Sequence, residues 1–266
     1  MNTHQRSSET EIISLSRGLG ILRAFKSSDA PLSNKEISER TSLSKATVAR
    51  LCHTLLEMGY LRQIGSQGKY HLDNNVTILG HAFLSNLTIR RIAEPMLQEI
   101  ADRHEMSVAL GIGDGPNMVY LVYCAGAQTV AMRLRVGTLL PIHQTAMGRA
   151  FMSALEPELC NSHMAAIRAS VGGNADVVEA DLRSEMKNAQ ETGFSVSFGS
   201  WRKEIFAVGV PVWLDRGSRV IALNCGTRGR DQNADFFSNV LGPEMMRLSS
   251  ELSGRMEQVG ANFWDE

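Results

Sequence analysis

Four short constellations in this 266-residue chain could carry chemistry. Thr145-Ala146-Met147-Gly148-Arg149 sets a hydroxyl residue before small residues that read as the first turn of a helix. The free amides and positive dipole end of such a turn favour an anion, although plain N-capping explains the same spacing. Asn224 follows Val220-Ile221-Ala222-Leu223 in a run that reads as a buried strand. An amide there must hydrogen-bond, either to a ligand or to a neighbouring loop. Trp201 and Phe206 could supply aromatic walls or simple cover. Cys160 and His163 stand at i and i+3, a pair open to a metal or redox-sensing reading, but two ligands do not make a zinc site. His143 has no acidic partner in the local sequence, and the chain lacks a P-loop, G-x-G-x-x-G, G-x-S-x-G or H-E-x-x-H motif. No cofactor and no enzymatic activity are therefore expected.

The fourth constellation lies near the amino terminus. Ser44, Lys45, Ala46, Thr47, Arg50 and His53 fall on the start and one side of a segment whose other side is Val48, Leu51, Cys52, Leu55 and Met58. Small residues permit close approach to a groove wall, hydroxyls reach phosphate or base edges, and a guanidinium can fork onto guanine. Arg62, Lys69 and His71 flank the turn Gly65-Ser66-Gln67-Gly68 and suit a phosphate backbone. Ser33 joins them at the start of the preceding helix.

These side chains need a scaffold. Ile12, Leu15, Leu19, Leu22 and Phe25 recur at helical spacing, which predicts an amphipathic helix over 12–27 ended by Asp29-Ala30-Pro31. Ser33-Asn34-Lys35-Glu36 is a capping box, so a short helix begins at Asn34. Ser44 caps a third helix that runs to Met58 and stops at Gly59. Two short strands around the glycine-flanked turn follow. The order is that of a winged helix-turn-helix, which binds double-stranded DNA.

Val76, Leu79, Phe83 and Leu87, with Ile78, Ala82 and Leu84 beside them, predict a helix over 75–88 too apolar to stand alone; it packs on its own domains or pairs two chains. Pro95 predicts a boundary or kink near Ala93-Glu94, before a helix with Met96, Leu97 and Ile100. From Ser107 the period becomes two, giving expected strands up to Asp114, over 118–124 and over 130–136. A helix over 178–191, strands near 194–198, 205–213 and 219–225, and a helix over 234–259 complete an α+β domain with helices mainly on one face.

Composition sets the remaining bounds. Residues 1–73 hold ten Lys and Arg against seven Asp and Glu, a net +3, whereas the rest holds 17 against 21, a net −4. That asymmetry fits a basic nucleic-acid module joined to a separate domain. The four cysteines form no C-x-x-C pair, and the longest apolar run, from Ile205 to Leu214, is only ten residues. A cytoplasmic protein without a membrane span is expected.

The segments Leu15 to Leu22, Ile37 to Leu51, Leu56 to Leu61 and Gly137 to Ala150 together resemble bacterial transcriptional regulators of the IclR type. The resemblance implies a winged helix-turn-helix over 1–73, a linker or dimerisation helix over 74–93 and a GAF-like effector-binding domain over 94–266. It further implies a homodimer, pairing into a dimer of dimers, and an effector held by Ala146, Met147, Ser197, Ala207, Asn224 and Gly226. With Thr145 and Phe206 added, the expected ligand is a small organic acid, conceivably aromatic. Glu204 and Ala207 stand where the family pattern has glycine and cysteine, which changes charge and removes a thiol near the expected pocket. Rival expectations are an enzyme or a metal or redox sensor fused to the DNA-binding module, and a second domain that only oligomerises.

Overall fold

A computed structural model describes residues 12–26, 30–65, 68–129, 134–229 and 234–260. Two compact units result, Met1–Phe83 and Leu84–Glu266. The expected end of the first helix at Asp29, the middle of the glycine-flanked turn and the start of the expected strand over 130–136 lie outside the described residues.

In the first unit α1 spans Ile13–Arg23, α2 Asn34–Thr41 and α3 Lys45–Glu57. Both predicted caps form: Ser33 and Glu36 bond reciprocally, and Ser44 Oγ accepts from the Thr47 amide. Strands β1, Leu61–Ile64, and β2, Lys69–Leu72, pair antiparallel, and Leu32 adds a bridge to Tyr70. The core is Ile21, Leu32, Ile37, Val48, Cys52, Leu55, Leu61 and Tyr70. The expected stripe of α1 holds only at its end, where Leu22 and Phe25 pack partly buried against this core. Ile21 is the helix's buried residue, while Leu15 is 59% and Leu19 52% exposed. Met58 likewise turns out to be exposed. Helix α4, Asn74–Ser85, buries none of its side chains.

In the second unit α5 spans Thr88–His104, with Pro95 inside it. Of the expected boundary or kink near Ala93-Glu94, the boundary is not found, because the helix continues through Pro95. The expected helix over 75–88 ends early, because Leu87 is the buried N-cap of α5 and no part of α4. Strands β3 (Ser107–Asp114), β4 (Asn117–Ala125), β5 (Leu139–Pro141), β6 (Ser195–Phe198), β7 (Ile205–Leu214) and β8 (Arg219–Arg228) form one antiparallel sheet in the order β5-β4-β3-β8-β7-β6. Leu134 to Gly137, the described end of the expected third strand, is not strand; β5 takes the place beside β4.

Helices cover both faces of this sheet, a correction to the one-faced expectation. On one face α5 and the final helix, Gly242–Val259, pack on Val108, Leu110, Val208, Val210, Val212, Ile221, Leu223 and Cys225. The other carries α6 (Ala146–Ser153), α7 (Pro157–Val171) and α8 (Ala175–Thr192) over Ala109, Met118, Tyr120 and Ala222. Helix α7 was not foreseen. The carboxy-terminal helix is interrupted: α9, Ala234–Phe236, passes through a π turn at Phe237–Leu241 into α10, Gly242–Val259.

Candidate functional site

The amino-terminal candidates lie on the outward sides of α2, α3 and the hairpin of the first unit. Val48, Cys52 and Leu55 fill the core side of α3, which forces Lys45, Ala46, Ala49, Arg50 and His53 outward; all five are exposed. Ser44 and Thr47 close the first turn through a 2.9 Å contact between their hydroxyls. In the hairpin the register pairs Arg62 with His71 and Ile64 with Lys69. Side chains alternate across a strand, so Arg62, Lys69 and His71 share the face opposite buried Leu61 and Tyr70. His71 Nδ1 donates to the Leu72 carbonyl at 2.8 Å, which leaves Nε2 directed away from that bond. Ser33 is committed to α2: its amide and hydroxyl both donate to Glu36 Oε2, at 2.7 and 2.6 Å. Those bonds hold the Glu36 carboxyl below its ordinary range.

The second candidate site is a cavity of about 30 Å³ between the start of α6 and strands β6, β7 and β8. Thr145, Ala146, Met147, Ser197, Ala207, Asn224 and Gly226, all expected there, line it. Phe206 does not. It is on the opposite face of β7 from Ala207 and packs against Phe198 and Phe237, as the two-residue period of a strand requires. Glu204 is also absent from the lining; it pairs with Arg228 at 3.7 Å, so the added charge stays out of the cavity.

Thr145 shapes the site by capping α6. Its hydroxyl accepts from the Gly148 amide at 3.2 Å and donates to the Pro141 carbonyl at 3.0 Å. The amides of Ala146 and Met147 donate to no protein group. Arg149 turns away, reaching the Val196 and His143 carbonyls and Glu185, and burial lowers its affinity for the proton. Burial and the Arg149 charge lower the His143 pKa as well.

Sequence reasoning missed Tyr120, Leu134, Leu140 and Ile205 in the lining. Tyr120 arrives there by a β-bulge: Leu110 pairs with Val122 but Gly111 with Tyr120, so Leu121 is an extra residue and the face alternation of β4 shifts. Tyr120 and Asn224 both line the cavity, and burial pushes the Tyr120 pKa well up. Asn224 Oδ1 is buried without a partner. Ser197 is 6% exposed and lines the cavity. Among the described residues, no arginine, lysine or histidine lines the cavity.

Cys160 and His163 are absorbed by packing. Cys160 is buried on α7, which raises its thiol pKa, and His163 Nδ1 donates to the Gly115 carbonyl at 2.7 Å while its ring stands edge-on to Phe151. Among the described residues, three or more His, Cys, Asp or Glu side chains nowhere gather as a metal site would require, and no helix is long and apolar enough to cross a membrane.

Comparison with known proteins matches residues 14–65 to the IclR helix-turn-helix domain and residues 81–239 to the family described as bacterial transcriptional regulator IclR C-terminal. The chain is 31% identical over 212 residues to the HTH-type transcriptional regulator XynR of Escherichia coli, covering 79% of this chain and 84% of that protein. Among solved structures, an IclR family transcriptional regulator from Brucella abortus superposes with a TM-score of 0.86 at 31% identity over 96% of both chains. An IclR homolog from Microbacterium hydrocarbonoxydans, complexed with 4-hydroxybenzoate, shares the fold at a TM-score of 0.68 and 18% identity, covering 92% of this chain and 99% of that one.

Proposed function

Because this chain belongs to the IclR family of bacterial transcriptional regulators, and so is a DNA-binding regulator and not an enzyme, we infer that α3 reads a duplex operator and that a small organic acid in the β6–β8 cavity modulates the outcome. One observation carries the DNA reading. The buried side of α3 leaves Lys45, Ala46, Arg50 and His53 exposed together on a helix whose amino terminus is capped by Ser44. Arg50 contacts base edges, Ala46 and Thr47 fit against the groove wall, and Arg62, Lys69 and His71 hold phosphates from the wing. Ser33 supports this surface by fixing the start of α2.

The working protein is a cytoplasmic homodimer, and two dimers pair through residues 94–266. Support for pairing comes from the exposed apolar side chains of α1 and α4, Leu15, Leu19, Ile78 and Leu79 among them, which are too many to leave in water. Two-fold symmetry then demands a pseudo-palindromic operator. Residues 1–73 act as the DNA module, 74–93 as the connector and 94–266 as the sensor.

For the effector, the unpartnered amides of Ala146 and Met147 suit a carboxylate, which Asn224 and Ser197 orient. Binding alters transcription only through unequal affinity for two arrangements of the dimer. Selection of binding sites from a randomised duplex library by the full-length protein tests the whole reading. Enrichment of one pseudo-palindromic sequence, lost in Arg50→Ala, is expected; enrichment of no sequence would refute it.

A further inference from the structure

We propose that α10 pairs with the α10 of a second copy of this chain, antiparallel across a two-fold axis, through the groove that it forms with α5. This rests on the dimer-of-dimers reading and names the surface that joins the two dimers.

The groove has a volume of about 260 Å³. Its α10 wall is Glu244, Arg247, Leu248, Glu251 and Arg255, whose spacings of three and four put them on one stripe of the helix. Met96 and Ile100 of α5 join Leu248 as the apolar lining, and the rest of the lining is three arginines and three glutamates.

Charge decides the occupant. The lining is neutral overall, so a free anion, an acidic segment or a nucleic acid meets as much repulsion as attraction there. A second copy of the same surface fits if opposite signs stand at equal distances on either side of the axis. They do. With the axis level with Ser249, Arg247 faces Glu251 of the partner subunit, each about 3 Å along the helix from the axis. Glu244 and Arg255 of the partner subunit match to within about 1.5 Å, one residue of rise. Leu248 lies beside the axis, where it meets its own copy.

The side chains are open where this pairing needs them. Arg247 is exposed and, among the described residues, has no hydrogen bond or ion pair. Arg255 holds Glu251 only at Oε1, through Nε at 3.1 Å and Nη2 at 2.6 Å, which leaves Oε2 to accept from the arriving Arg247. Glu244 is already bonded at both oxygens, by Arg103 and His104, so the inner pair carries the contact. This surface is distinct from the exposed apolar side chains of α1 and α4. Two different isologous surfaces on one chain are what a closed assembly of four requires.

Sedimentation of the full-length protein at micromolar concentration tests the pairing, in about 0.1 M and about 1 M salt, where charges are screened beyond about 10 Å and about 3 Å. Tetramers at low salt that fall to dimers at high salt are expected. Arg247→Glu should weaken dimer–dimer association about tenfold or more, a difference of about 1.4 kcal/mol, because symmetry places the change on both sides of the axis. Adding Glu251→Arg should restore the tetramer, a rescue that a merely structural role for Arg247 would not give. Tetramers indifferent to salt and to Arg247→Glu, or a double variant no better than the single one, overturn the pairing. A parent protein that stays dimeric at every salt concentration overturns it too and leaves the groove to another occupant. A monomer throughout overturns the α1 and α4 dimer as well. The salt series on the unaltered protein stands even if a variant fails to fold.

Discussion

Gly209 of β7 passes so close to Ala146 at the start of α6 that a β-carbon on it would overlap the Ala146 carbonyl. The helix start is thereby pinned against the sheet beside the cavity. Because the obstacle is backbone on both sides, no side-chain rotation relieves it. Gly209→Ala should destabilise the second unit by about 1–3 kcal/mol, the usual cost of overpacking. Thermal unfolding measures this, and a variant as stable as the parent would mean that β7 and α6 do not meet in this way.

Arg50→Ala and Lys69→Ala should weaken DNA binding in different ways. Losing a forked base contact costs about 1–3 kcal/mol at one position of the site and relaxes specificity there. Losing a phosphate contact weakens all sequences alike and reduces the salt slope by about one. Titrations of cognate and mismatched duplexes at several salt concentrations separate the two; identical behaviour of the variants would undo the assignment of α3 and the wing.

Leu19→Glu and Leu79→Glu should convert the dimer to monomer with little loss of monomer stability. Leu19 and Leu79 are 52% and 55% exposed in the single chain, so a charge there meets water until a second chain covers it. Sedimentation at micromolar concentration reads the association state. A dimer unaffected by both changes would place the interface elsewhere.

Acid should destabilise the second unit through His143. Its pKa is lowered in the folded protein by burial and by Arg149, so the unfolded chain binds the proton more readily. The neutral ring's contribution is complete above the unfolded value of about 6.5 and is lost as pH falls below it toward the folded value. The melting temperature should therefore drop as pH falls from 7 toward 5, and His143→Gln should flatten that dependence. An equal drop in the variant would exclude His143 as its source.

The sequence by itself determined the local and the periodic. The Ser33–Glu36 box and the Ser44 cap need only neighbours three residues apart, so helix starts were legible at single-residue resolution. Val48, Cys52 and Leu55 fixed the buried side of α3 and hence the exposure of Arg50. In β7 the alternation was legible in principle: Ala207 lining the cavity implies that Phe206 does not. The resemblance carried the remaining cavity residues, since Ser197 and Gly226 signal nothing by spacing alone. Tertiary structure decided whatever depends on a partner strand or on competing apolar faces. Helix α1 has two such faces, and only packing shows that Ile21 goes inward while Leu15 and Leu19 stay outside. Pro95 is accommodated inside α5, whose Ala93, Met96 and Leu97 are held in the larger core. Tyr120 faces Asn224 because the register slips by one residue at Leu121, and a slip of one reverses every side chain beyond it. The slip is a relation between β3 and β4, and neither strand's own sequence contains it.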